Sequence, residues 1–253
     1  YEIAQCLVGS EMCIRDSTQG GITGTLLHFT LPMMVGSFLQ QCYNIADTLI
    51  VGQCIGAGAL AAVGSAYTLM VFLISVLLGL AMGSGTVFSL HYGAGNHVAL
   101  RRSIFSSFVL IGIVTLILNV AVFIWIDPIL RLLQVPQDIY GMMRSYLWII
   151  FCGIVFTFIY NFYASLLRAV GDSVTPLWFL AVSVVLNIAL DLFFILQLDW
   201  GIQGAAAATV FAQGVAALGI IIYTYRRRPE LRWHHEDMCF DLSLIHISEP
   251  TRH

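Results

Sequence analysis

Residues 43–52 read YNIADTLIVG, and the reading of this stretch decides the fold. A carboxylate, Asp47, stands within a long apolar run. Placing an ionised carboxylate at mid-bilayer depth costs at least about 2.5–3.5 kcal/mol on insertion scales. A carboxylate there is a candidate functional group whose partners lie elsewhere in the chain. Composition supports the membrane setting. The 253 residues are 59% hydrophobic and only 10% charged, where a soluble domain carries about 25% charged residues. That is too little charge for a water-facing surface, so the chain is an integral membrane protein whose first partner is the lipid bilayer. Its apolar runs are about 20 residues long, the length of a spanning helix, and not the short alternating strands of a barrel. The expected fold class is all-α integral membrane.

Working outward from residues 43–52, six spans are predicted, at 24–51, 59–90, 103–126, 145–167, 177–198 and 205–225. Pro32 lies in the first and should bend it by removing a backbone hydrogen bond. Asp127-Pro128 is expected to end the third, and an amphipathic connection carrying Arg131, Asp138 and Arg144 follows it. Trp125, Trp148 and Trp200 fall near span ends and read as an interface belt. Lysine is absent, and Arg101, Arg102, Arg168, Arg226, Arg227, Arg228 and Arg232 all fall on one side of the six-span arrangement. The positive-inside rule places that side, with the start of the first span, in the cytoplasm. There is no basic patch of the kind that meets nucleic acid. The six cysteines are scattered without paired spacing, which argues against both a zinc site and a disulfide framework.

The two ends read differently from the middle. EMCIRDS near the start and LSLIHIS near the end are encoded by DNA strands that are reverse complements of one another, and that shared sequence resembles a transposon end used in sequencing adapters. Residues 1–17 and 242–253 are accordingly expected to be adapter-derived and non-native, leaving 18–241 as a gene fragment.

Two acidic residues fall well inside spans, Asp47 and Asp191. Each has a polar residue one helical turn earlier, Tyr43 and Asn187, on the same face. Asn161 in the fourth span and Thr209 in the sixth lie at comparable depth. Asn119 and Gln213 read as packing partners. Two carboxylates sharing a low-dielectric site cannot both stay ionised cheaply, so one holds a proton or a cation sits between them. An oxygen-only set from Asp, Asn and Thr suits a hard cation such as Na⁺ at Asp47, Asp191, Asn187 and Thr209. No nucleophile elbow, phosphate loop or paired His and carboxylate motif is present, so the expectation is a non-enzyme without a resident cofactor.

These residues carry a family resemblance. LPMMVGSFLQQCYNIADTLIVG in the first span, GLAMGSGTVFSLHYGAGN closing the second, LLRAVGDSVTP after the fourth, and NIALD followed by GAAAAT resemble the N-terminal half of a multidrug and toxic compound extrusion (MATE) transporter. The resemblance covers 18–241 and implies one six-helix lobe of a twelve-helix transporter in the cytoplasmic membrane of a prokaryote. It implies export of cationic or amphipathic compounds in exchange for H⁺ or Na⁺, with a missing C-terminal lobe as partner. It implies cation-coupling roles for Tyr43, Asp47, Asn161, Asn187, Asp191 and Thr209, and a bend at Pro32. Two other functions are compatible with a polytopic chain. A lipid-linked oligosaccharide flippase of the same superfamily would carry cationic side chains in its cavity, and no arginine here lies mid-span. A non-transporting membrane module would need no buried carboxylates.

Overall fold

The computed structural model describes residues 22–231, with the side chains of 22–29 and 230 excepted. The adapter-like ends, 1–17 and 242–253, and Arg232 lie outside the described residues. Seven α-helices follow in order: α1 Ile22–Cys54, α2 Ala57–Gly93, α3 His97–Leu132, α4 Gln137–Cys152, α5 Ile154–Ala169, α6 Val174–Leu192 and α7 Gly201–Arg227. A π-helical turn, Phe193–Gln197, extends α6, and a short 3₁₀ turn, Pro229–Leu231, closes the described chain.

The connections are short because the sequence supplies turn chemistry where it is needed. Between α2 and α3, Gly95 takes φ +67°, and the Asn96 side chain accepts the Ala99 N–H at 3.0 Å, capping α3. Between α5 and α6, Gly171 takes φ +87°. There Asp172 accepts from the Thr175 N–H at 3.0 Å and from its hydroxyl at 2.7 Å. Asp172 also pairs with Arg228 at 3.8 Å, which ties this loop to the end of α7.

The bundle is built around α7, which packs on α4, α5 and α6 and touches α1. Half of its most apolar stretch is buried, against 17% for the α6 stretch. The cause is small side chains: Gly204, Ala205, Ala206, Ala208, Ala212, Gly214, Ala216 and Ala217 are buried and let neighbouring backbones approach. On the other side, α2 packs on α3, α4 and α5. Phe162 of α5 is fully buried there, edge-on to Phe88 of α2 at 5.9 Å and to Phe108 of α3 at 5.2 Å.

Three expectations need correction. Among the described residues, four helices are long and apolar enough to cross a membrane, α2, α3, α6 with its π turn, and α7. A fifth span is added if α4 and α5 together make one, so length and composition identify four or five spans among the described residues where six were expected. Helix α1 is not among these, and its second half carries the polar side chains Gln40, Gln41, Asn44, Asp47 and Thr48. The fourth span is not one straight helix, since α4 and α5 meet at Gly153 with a 46° bend. A Cβ on Gly153 would overlap the side chain of Val210 on α7, so glycine sets how closely the break approaches α7. Finally, Pro128 does not end α3, which runs on to Leu132. One missing N–H within the last turns leaves the remaining bonds intact. The α3–α4 junction is held by Asp127, whose Oδ1 accepts from Tyr140 at 2.8 Å and from Arg144 at 3.0 Å.

Candidate functional site

Helix α1 turns one face inward at Asp47. That residue is 8% exposed, while Ile45 and Leu49 on either side are 60% and 54% exposed. Facing it from α6 are Asn187 and Asp191, one turn apart and both buried. Thr209 is buried on α7, where the surrounding alanines admit the close approach of α6. The fold thus brings together five of the six residues singled out as a polar set: Tyr43, Asp47, Asn187, Asp191 and Thr209.

Thr209 is the node of this cluster. The Tyr43 hydroxyl donates to Thr209 Oγ1 at 3.2 Å. The Asn187 amide lies 3.2 Å from the same oxygen. One orientation of that amide satisfies both its ends. Its Oδ1 then accepts from the Thr209 N–H and hydroxyl, each at 3.2 Å, and its Nδ2 donates to Asp191 Oδ2 at 3.0 Å. In that orientation the donors run in one direction, from Tyr43 through Thr209 and Asn187 to the Asp191 carboxyl group. The Asp47 and Asp191 carboxyl groups lie within interaction range of one another. Each keeps one buried oxygen, Oδ1, without a protein partner. Two adjacent carboxyls with free oxygens, backed by a hydroxyl and an amide, are suited to share a proton or to hold a hard monovalent cation. Among the described residues no group of three or more His, Cys, Asp or Glu is placed to bind a metal.

Asn161 is not joined to the cluster by its side-chain bond, because its Nδ2 donates to the Thr157 carbonyl of its own helix at 2.8 Å. Pro32 lies inside α1, which continues through it as helix. Sequence reasoning missed Tyr146 of α4, which is 3% exposed and lies within electrostatic reach of Asp47, Tyr43 and Asp191. It falls at the start of the fourth predicted span, where sequence alone gives it no role. Gln213, read from sequence as packing, accepts a close hydrogen bond from the Thr157 hydroxyl.

The chain is similar to known proteins in sequence and in fold. The MatE family model matches residues 32–193. The chain is 36% identical over 213 residues to the probable multidrug resistance protein YpnP of Bacillus subtilis, covering 84% of this chain and 48% of that protein. It is 31% identical to the multidrug export protein MepA of Staphylococcus saprophyticus, covering 80% and 45% respectively. The fold superposes on the bent form of the Vibrio cholerae MATE transporter VcmN with a TM-score of 0.80 and 27% identity, over 87% of this chain and 50% of that one. The chain spans about half the length of the curated relatives it matches.

Proposed function

Because the chain belongs to the MatE family of membrane transporters, we propose that it forms the six-helix N-terminal lobe of a cation-coupled multidrug antiporter. In this reading α4 and α5 make one broken span, and α1 completes the six. The whole protein would export cationic or amphipathic compounds from a prokaryotic cell across its inner membrane, with the first helix starting in the cytoplasm. The second lobe would supply the other wall of the substrate cavity.

The observation that carries this reading is the pairing of Asp47 and Asp191. It joins α1 to α6 across a site whose remaining walls are Tyr43, Asn187 and Thr209. With both carboxyls ionised, repulsion drives α1 away from α6. With a shared proton or a Na⁺ between them, the two helices close. Coupling then follows from competition: the cation stabilises one arrangement of α1, substrate stabilises another, and neither is favoured by both at once. Na⁺ would be held by Asp47, Asp191, Asn187 and Thr209. Pro32, with no backbone N–H to donate, is the point at which α1 bends most cheaply. Asn161, bonded to its own helix, would join only in a rearranged state.

The test uses the uninterrupted protein. Asp47→Asn and Asp191→Asn each remove one of the two charges, and each should abolish cation-driven efflux of a fluorescent cationic dye from everted vesicles. Near-normal efflux in both variants would overturn the assignment.

A further inference from the structure

The carboxylate pair needs a route by which protons or hydrated ions reach it, and α1 covers it from one side. A second side is open to consideration. A crevice between α2, α4, α5 and α7 is lined by Met70, Ile74, Ile150, Phe151, Ile154 and Val210, with three polar side chains among these apolar ones: Thr157, Thr209 and Gln213. Thr209 belongs both to this lining and to the carboxylate cluster. Gln213 lies one turn after Thr209 on α7, so both point to one face. Thr157 donates to Gln213 from α5. The crevice has room for about one water molecule, and three converging hydrogen-bonding groups are what a buried water requires.

We propose that this crevice is a water-bearing access route to the Asp47–Asp191 pair, with Gln213 and Thr157 as its polar lining and Thr209 as the hydroxyl that hands protons between crevice and cluster. The proposal rests on the pair being the coupling site. The route moves a proton without making or breaking any other covalent bond. A hydronium reaching the crevice gives a proton to Thr209 Oγ1 as the Thr209 hydroxyl proton passes to a water beside Asp191, and that water protonates the carboxylate, so that Thr209 and both waters end neutral. The groups that face the pair are Tyr43 from α1, Tyr146 from α4, Asn187 from α6 and Thr209 from α7, and none of them adds a fixed charge. Gln213 and Thr157 touch the route and not the carboxylates, so they are positioning residues.

The experiment uses the purified uninterrupted protein in detergent, with native cysteines replaced, and has two readouts. The first is labelling of single cysteines by a small hydrophilic methanethiosulfonate. Thr157→Cys and Gln213→Cys should both react. A Met70→Trp change that fills the crevice should slow both by at least tenfold and leave a reintroduced, exposed Cys54 unaffected. If both sites are inert while Cys54 reacts, the crevice is dry and the proposal fails. The second readout is the rise of the protonated-carboxyl infrared band after a pH jump. Met70→Trp should slow it about tenfold without changing its final amplitude. A rate equal to that of the parent chain overturns the route and leaves the coupling site standing. A band that does not respond to pH in the parent chain overturns both. Size-exclusion profiles and Cys54 reactivity identify variants that have not folded, and Ile74→Trp fills the same crevice from one turn further along α2.

Discussion

Helices α7 and α1 both lend side chains to the polar cluster, yet they are held in opposite ways. Helix α7 is wrapped by α4, α5 and α6, and most of its glycines and alanines are buried. Helix α1 leans on α6 and α2, and Leu31, Met34, Phe38, Ile45 and Leu49 all point outward. Thr209 is thus fixed in a close-packed wall, while Asp47 sits on an arm attached by one face. In the proposed mechanism the two helices take different parts. A site that must both bind a cation and change shape needs one rigid side to define geometry and one side that moves at low cost.

The comparison breaks first at Gly153. A leucine there would have to overlap Val210 of α7, and Gly153→Leu should lower stability by about 3 kcal/mol. Unfolding of the detergent-solubilised chain followed by circular dichroism reads this directly. Gly219→Ala is the milder test of the same wall. Its Cβ would meet the Phe179 ring at 2.6 Å, a contact the ring relieves by shifting, and the expected loss is about 1–2 kcal/mol by the same assay. On the other helix the effects should be small in stability and visible in motion. Pro32→Ala restores a backbone hydrogen bond one turn back. It should change stability by less than about 1 kcal/mol while slowing amide exchange across residues 28–36. Thr48→Val, on the exposed face of α1, where the hydroxyl donates to the Asn44 carbonyl of its own helix, should stay within about 0.5 kcal/mol of the parent. If the α1 changes cost as much as the α7 changes, the division into wall and arm is wrong.

Much of this was legible in residues. The carboxylates at 47 and 191 stood out because hydrocarbon makes an unpaired charge expensive, and the one-turn spacing of Tyr43 and Asn187 placed them on the same faces. What sequence could not show was set by packing. Gly153 lies within an apolar run, FCGIVF, that reads as continuous helix. What its missing side chain makes room for is Val210, a residue far along the chain. Pro128 reads as a stop, yet so near a helix end the missing bond costs little. Tyr146 and Gln213 were passed over for a related reason. A polar atom on an aromatic or amide side chain counts as interfacial or structural until its neighbours are known. Asn161 shows the converse, since its depth matched the cluster but its amide turned back to Thr157.

The central claim is that Asp47 and Asp191 titrate as one site. Infrared difference spectra of the purified chain between acid and alkaline pH test this most directly. Coupled carboxyls should give a protonated-carboxyl band that is displaced in frequency and in midpoint when either Asp47→Asn or Asp191→Asn is made, because each carboxyl sets the other's titration. Two independent bands, each removed by one substitution with the other unmoved, would contradict it.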